Sequence, residues 1–205
     1  MTLMQTLRTV PIALFGVTLI VTAGCGDGGS TETSKTQEVA QIIPTEVFLT
    51  ERPRTLDMLT EVKRDATVGQ KVVFEARVGG RADPFVDGVA IFVAADPRLV
   101  SCDQKPGDFC KVPQDYCCEN KEKLKAGTAT IQMVDAQGAL YPVRAEHQGG
   151  IISLKTVVIE GTVSEKGDDG LFVVDANRVW VGSIPEAPPT EEELARRRSE
   201  FEQGS

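Results

Sequence analysis

The stretch Val68–Gly80, VGQKVVFEARVGG, decides the fold. Its polar residues alternate with apolar ones that fall on one face, namely Val72, Phe74, Ala76 and Val78. A period of two is the pattern of a β-strand with one buried face, and the glycine pair at positions 79 and 80 indicates where it ends. The sequence therefore predicts a half-buried first strand of a β domain.

Further β-rich runs follow this strand along the chain: Phe85–Ala95, Thr128–Asp135, the short run 139–144, Thr156–Ser164 and Leu171–Val181. Gly161 lies inside the fourth long run, where a bulge or bend is expected. Five or six short strands of this kind predict a mainly β domain over residues 67–183. The pattern resembles an OB-fold, a small antiparallel barrel, and a β-sandwich is the alternative.

A long insertion, residues 96–127, interrupts the predicted strands. It falls between the second and third strands, whereas OB barrels commonly carry their helix or long loop between the third and fourth. Four of the five cysteines lie in it: Cys102, Cys110, Cys117 and Cys118. In an exported protein an even number of cysteines predicts disulfides. Because a bond between neighbours 117 and 118 would close a strained ring, we expect Cys102 and Cys110 each to pair with one of them; which pairs with which is open.

Two other interpretations of the insertion compete with disulfides. The four thiolates could bind zinc or iron, or three of them could do so with Asp108, Asp115 or the only histidine, His147. No CxxC pair is present, and oxidising conditions consume thiols, which both argue against a metal. Alternatively, the adjacent pair at 117 and 118 could be a redox-active dithiol, since strained disulfides are the labile ones.

The phrase DFCKVPQDYCCE, residues 108–119, has the form DxCxxPxDYCCE. It resembles a phrase found in a family of uncharacterised exported bacterial proteins, and the resemblance extends over residues 68–181. It implies a shared OB-like domain, and it implies no particular activity or ligand.

The N-terminus resembles a bacterial lipoprotein leader. Residues 1–24 contain one basic residue, Arg8, and an apolar run, Val10–Val21, which would rise only about 18 Å as a helix. That length suits a signal peptide rather than a span of the ~30 Å hydrocarbon core. The run ends in Thr22-Ala23-Gly24-Cys25, similar to a lipobox except at its threonine, so Cys25 is the predicted lipidation site. An ordinary cleaved signal or a retained N-terminal anchor is the alternative.

Charge and composition restrict the partners. Removal of the leader, which carries a single positive charge, changes the formal net charge from −8 to −9. This negative net charge disfavours binding to nucleic acid and to anionic lipid. The membrane contact is thus expected through the lipid anchor, and the partner is an unknown protein or small ligand. No nucleophile elbow is present, so no catalytic residue is predicted and an enzyme is not favoured. Loop acids lacking EF-hand spacing are expected to be solvated: Asp83, Asp87, Asp96 and Asp103.

The remaining segments flank the β domain. Residues 25–41 are rich in Gly, Ser and Thr and predict a flexible linker. Residues 42–66 predict a lead-in segment with a short helix capped by Thr55. Residues 184–205 predict a proline-rich linker and a solvated, charged helix or disordered tail beginning after Thr190. Together these features predict a non-enzymatic, envelope-tethered lipoprotein facing the periplasm or cell exterior, with metal binding or thiol redox chemistry as the alternative.

Overall fold

The computed structural model describes residues 42–105, 107, 110–185 and 189–205. The predicted leader, Cys25 and the linker up to residue 41 lie outside the described residues, as do Asp108 and Phe109. The strands are β1 (Phe48–Leu49), β2 (Asp57–Met58), β3 (Lys71–Val78), β4 (Ile91–Ala95), β5 (Thr128–Met133), β6 (Thr156–Lys166) and β7 (Phe172–Val181). The α-helices are α1 (Leu59–Asp65), α2 (Lys121–Gly127) and α3 (Glu191–Gly204).

Five of the strands close a barrel in the order β3, β4, β5, β7, β6 and back to β3. This is the strand order of an OB-fold, so the predicted mainly β, OB-like barrel is confirmed and the sandwich alternative is wrong. The prediction that the barrel is entirely antiparallel is also wrong, because β5 and β7 run parallel, from Thr130 opposite Val173 to Met133 opposite Ala176. The strands β1 and β2 add short parallel pairs to β7 and β3.

The barrel interior is filled by the residues that the alternating pattern assigned to it. Phe74, Ala76 and Val78 of β3 are fully buried, and they pack with Phe92, Ile131 and Ile159 from neighbouring strands. Burial of side chains of this size contributes about 1.5–3 kcal/mol each relative to exposure. The barrel is therefore a packed core rather than a channel.

Gly161 has the predicted role in β6. The register between β6 and β7 shifts at this residue, and a Cβ placed there would lie 2.4 Å from the carbonyl oxygen of Asp175. Only glycine permits this close approach of two backbones, which bends β6 enough to pair with both β3 and β7.

The lead-in segment does contain a helix, but it begins later than predicted. Thr55 is exposed and lies outside the helix, which starts at Leu59 after a short pairing of β2 with β3. No local side chain caps α1. Instead, Oδ2 of Asp96, far along the chain, accepts the backbone N–H of Thr60 at 3.0 Å.

The C-terminal helix is present and capped as expected, with Thr190 Oγ1 accepting from Glu193 N at 3.2 Å. It is not solvated, however. Leu194 and Phe201 are each only 2% exposed. Their burial means that α3 is packed on the domain. The many charged residues of α3 gave no indication of this packing in the sequence. Within the described residues no helix has both the length and the apolarity needed to cross a membrane.

Candidate functional site

The described residues of the insertion 96–127 form a folded unit that we call the cysteine lobe. It has a small hydrophobic nucleus that it shares with the end of β4 and with α3, made of Ala95, Leu99, Tyr116 and Phe201, with Leu124 and Ala126 packed against it. Tyr116 is 1% exposed, and burial raises its pKa to about 12. The lobe therefore has packing of its own, in addition to anything its cysteines contribute.

The helix α2 closes the lobe and returns the chain to β5. Asn120 Oδ1 caps it by accepting from the backbone N–H groups of Glu122 and Lys123, at 2.8 and 3.2 Å. At the other end Lys63 Nζ donates to the carbonyls of Lys125, Thr128 and Gly170 at 2.6–2.7 Å. Burial lowers the pKa of Lys63 to about 8. Its three donors are nevertheless satisfied, so this lysine joins α1 to α2, β5 and the β6–β7 hairpin.

Two glycines at the end of β3 make room for the lobe. A Cβ at Gly79, where φ is +152°, would lie 2.8 Å from the carbonyl oxygen of Gln114. The next amide, Gly80 N, donates to that same carbonyl at 3.2 Å. The predicted strand end at this glycine pair is thus also the surface on which residues 114–116 of the lobe rest.

Arg77 attaches the lobe to the barrel wall. Its side chain is 3% exposed, and its three guanidinium nitrogens donate to Ser101 Oγ at 2.6 Å, Asp103 Oδ2 at 2.6 Å and Leu154 O at 2.9 Å. A buried guanidinium is stable only when its donors are matched by acceptors in this way. The residues on both sides of Cys102 are therefore held against β3.

A second buried ion pair fixes the start of the lobe. Asp96 is 0% exposed and accepts five hydrogen bonds: Oδ2 from Thr60 N, Thr60 Oγ1 and Arg98 NH2, and Oδ1 from Arg98 N and Nε. Arg98 NH1 also donates to Glu61 Oε1 and to the carbonyl of Glu200, both at 3.2 Å. This pair connects α1, the lobe and α3. The prediction that Asp96 is a solvated loop acid is wrong, because its carboxylate is needed to match a buried arginine.

The sulfur atoms of three cysteines converge in the lobe, from the buried Cys102 to the exposed Cys117. Sγ of Cys102, Cys110 and Cys117 all lie within 4.8 Å of one another, and the Cys102–Cys117 separation is 3.5 Å. Cys118 Sγ lies 3.9 Å from Cys117 Sγ. Among the described residues no two cysteines are joined by a disulfide. Sequence reasoning thus identified the cysteines that come together, while the predicted cross-links stay a prediction.

The position of Cys102 depends on two backbone hydrogen bonds. A short 3-10 helix, Cys102–Gln104, begins the segment, and Cys102 N donates to Asp115 O at 2.9 Å. Asp103 N donates to Pro113 O at 3.2 Å. These bonds align residues 102–103 with residues 113–115, and this alignment brings Cys102 beside Cys117.

The surroundings of Cys102 and Cys117 do not favour their thiolates. Burial, together with hydrogen bonds to neighbouring thiols, raises the pKa of Cys102 to about 12. The pKa of Cys117 is also above its ordinary value: its hydrogen bond with Cys102 lowers the pKa, but its interactions with the thiols of Cys118 and Cys110 and the loss of some hydration raise it by more. Reactive redox cysteines need a lowered pKa. The raised pKa of Cys117 therefore gives no support to the redox-dithiol interpretation.

The other predicted candidates lie elsewhere. Asp115 Oδ1 accepts the N–H of Tyr116 at 2.8 Å, and no carboxylate or histidine within the described ranges joins the three sulfurs as a possible ligand. His147 is exposed, with φ of +70°, in the turn before residues 148–150. Asp83 and Asp87 both pair with Arg144, at 2.9 and 2.6 Å. Asp115 contributes its backbone carbonyl to the position of Cys102, but none of these side chains joins the three sulfurs.

A cavity of about 280 Å³ lies between the lobe and α3, beside Cys118. Its lining combines charged and apolar side chains: Val100, Lys105, Cys118, Glu119, Glu191, Leu194 and Arg198. A larger hollow of about 560 Å³ lies between α1 and the first half of β3, and it has no cysteine in its lining. Of these two cavities, the smaller adjoins the cysteine lobe.

The residues that sequence reasoning missed are the buried charges. Arg77 has the strand parity of Lys71 and Glu75, so alternation places it on the outer face of the barrel, which is correct. It is buried because the lobe covers that face, and no local pattern signals such a cover.

The chain was compared with protein-family models, with curated proteins and with solved structures. None of these three comparisons finds a match.

Proposed function

We propose that this protein is an exported, lipid-anchored module of the cell envelope that acts by binding rather than by catalysis. The cysteine lobe is its recognition element. The observation that carries this proposal is the mounting of the lobe: Arg77 attaches the surface insertion to the barrel wall, and the Asp96–Arg98 pair connects it to α1 and α3. Binding sites are commonly carried by loops that a rigid scaffold positions in this way.

The anchor is proposed from the leader. Residues 1–24 supply an apolar run of signal-peptide length, and Ala23-Gly24 precede Cys25 as in a lipobox. Each buried acyl CH₂ contributes about 0.8 kcal/mol, and a lipoprotein cysteine carries more than one chain, which stable attachment requires. The lipid anchor then holds the acidic domain near a membrane, and this attachment does not require a basic protein surface.

In the exported, oxidised protein, Cys102 and Cys110 are cross-linked to Cys117 and Cys118. The convergence of the sulfurs supports this proposal, since the Cys102–Cys117 separation of 3.5 Å is within reach of a small side-chain rotation. Closing loops of this length contributes up to about 3 kcal/mol each in the chain-entropy model. Cross-linking would add to the packing of Tyr116 and keep the lobe in one shape.

The test is the intact mass of the full-length chain expressed in a bacterium that processes lipoproteins, with Cys25→Ser as the matched control. We expect the wild type in the membrane fraction, without residues 1–24, with acyl groups added, and with two hydrogens lost for each disulfide. The Cys25→Ser variant should lack the acyl mass. Recovery of the wild type from the cytosol with its leader intact would refute export and anchoring.

Metal binding by the lobe is the second candidate function. One observation favours it, namely that three sulfurs rather than two lie within 4.8 Å of one another. Two independent disulfides need only two separate pairs of sulfurs. A group of three is what a metal site requires.

A further inference from the structure

We propose that Cys102, Cys110 and Cys117 form, in the reduced protein, a three-thiolate site for a thiophilic d¹⁰ metal ion, zinc(II) or copper(I). The inference rests on the proposed role of the lobe as the functional element, and it does not depend on the lipid anchor. The same sulfurs cannot be cross-linked and metal-bound at once, so metal binding and disulfide formation exclude each other. Binding replaces three thiol protons, which are released to solvent, by one ion.

The distances between the sulfurs fit such an ion. With metal–sulfur bonds of about 2.3 Å, two thiolates of a tetrahedral centre lie about 3.8 Å apart, and those of a trigonal centre about 4.0 Å. The Cys102–Cys117 separation is 3.5 Å, and all three sulfurs lie within 4.8 Å of one another. The separations between the sulfurs therefore differ from those of a metal site by no more than about 1 Å.

The site is also held in place before any ion arrives. Cys102 is fixed by its N–H bond to Asp115 O, and its neighbours Ser101 and Asp103 are both bonded to Arg77. Ligands that are fixed beforehand lose little entropy on binding, which raises affinity.

The ligand type and the exposure of the sulfurs determine the class of ion. Thiolates select soft or borderline ions such as copper(I) and zinc over magnesium and calcium, which take oxygen ligands. Cys102 is 4% exposed and Cys117 is exposed, so one ligand lies deep in the lobe and another at its surface. This gradient gives the ion an entry path and leaves a coordination position open for water or for a partner's ligand.

The experiment is metal titration of the full chain, reduced with a phosphine and kept anaerobic, using zinc, cobalt(II) as its spectroscopic substitute, and copper(I). We expect one ion per chain and a sulfur-to-cobalt charge-transfer band whose intensity corresponds to three thiolates. Cys110→Ser and Cys117→Ser should each weaken binding by more than about 100-fold, since even second-shell changes cost 10–100-fold. Cys118→Ser is the matched control and should keep most of the affinity.

Unfolding midpoints of the metal-free variants, followed by the fluorescence of Trp180, show whether each variant is folded. Cys110 and Cys117 are preferred to the buried Cys102 for this reason. Absence of stoichiometric binding by the folded, reduced wild type would overturn the inference, as would equal losses in all variants including Cys118→Ser. Neither result bears on lipidation of Cys25, so failure of the metal site and failure of the proposed anchoring are distinguishable.

Discussion

Replacing Asp96 by alanine should destabilise the protein severely, although this residue lies in what its sequence presents as a loop. The carboxylate is 0% exposed and accepts five hydrogen bonds, from Thr60 and Arg98. Removing one partner of a buried ion pair costs about 3–5 kcal/mol, because the other charge is left uncompensated. Arg98 would keep Glu61 as a partner at 3.2 Å, which argues for the lower end of that range.

Loss of the cap on α1 adds to this cost. The Thr60 N–H would lose its acceptor, and removal of a helix cap typically costs about 0.5–2 kcal/mol. The two terms share Asp96 and do not simply add, so we expect a total of about 3–4 kcal/mol. With a urea m-value of about 2 kcal/mol/M, the unfolding midpoint of Asp96→Ala would fall by about 1.5–2 M. Trp180, the single tryptophan, reports this transition.

Asp87→Ala is the matched control. Asp87 also pairs with an arginine, Arg144, at 2.6 Å, but its side chain is 92% exposed and Arg144 keeps two further carboxylate partners. Exposed ion pairs contribute little, so the midpoint should hardly move. Equal effects of the two alanine variants, or a shift below about 0.5 M for Asp96→Ala, would refute the reasoning from burial.

The same carboxylate predicts a dependence on pH. Burial alone would raise the pKa of Asp96, but the hydrogen bonds from Arg98 and Thr60 outweigh it, so the pKa lies below its ordinary value. Because the pKa of Asp96 is lower in the folded state than in the unfolded state, the unfolded state binds more protons at pH values between these two pKa values. The stabilisation is therefore complete above about pH 4 and is lost as the pH falls from there through the folded-state pKa. Asp96→Asn, which keeps the shape of the side chain, should show a weaker loss of stability on acidification.

Further predictions concern the packing of the barrel and of α3. Gly161→Val should lower the unfolding midpoint at a cost of about 1–3 kcal/mol or more, because its Cβ would lie 2.4 Å from the carbonyl oxygen of Asp175. A midpoint equal to that of the wild type would show that the close approach of the two backbones is not required at this position. Phe201→Ala should cost about 3 kcal/mol and speed amide exchange throughout α3 and the cysteine lobe, since Phe201 is 2% exposed and belongs to the lobe's nucleus. Arg196→Ala, on the exposed side of α3, should change neither quantity, and exchange confined to α3 in the Phe201 variant would contradict a shared nucleus.

The barrel could be predicted from the sequence because its strands carry local signals. The alternation from Val72 to Val78 fixed which face of β3 is buried, and Gly161 fixed the bend of β6. Strand order was not readable in the same way. The parallel pairing of β5 with β7 depends on a crossover connection, and no residue in either strand indicates that connection. The prediction of an antiparallel barrel was wrong for this reason.

The candidate site was predictable in its composition but not in its geometry. The even number of cysteines in the insertion and their spacing indicated which residues form the site. The positions of their sulfurs, however, depend on backbone hydrogen bonds such as that from Cys102 N to Asp115 O, which joins residues 13 apart. The buried charges were missed for a related reason. Arg77 and Asp96 look like surface residues in sequence, and only the tertiary cover of the lobe and of α3 removes them from water. The burial of Phe201 was likewise hidden by the charged residues around it.

The side chain of Gln148 has a mechanical consequence. It is 0% exposed, and its Oε1 accepts the backbone N–H groups of Ile42 and Ile43 at 2.8 and 3.3 Å, just before β1 runs parallel to β7. Any pull on the domain from its N-terminal side is received there first, and the β1–β7 pairing then transfers the load to the longest-paired strands of the barrel. A pulling force applied at Ile42 would therefore break the two hydrogen bonds to Gln148 before it loaded β4 and β5, the strands that flank the cysteine lobe.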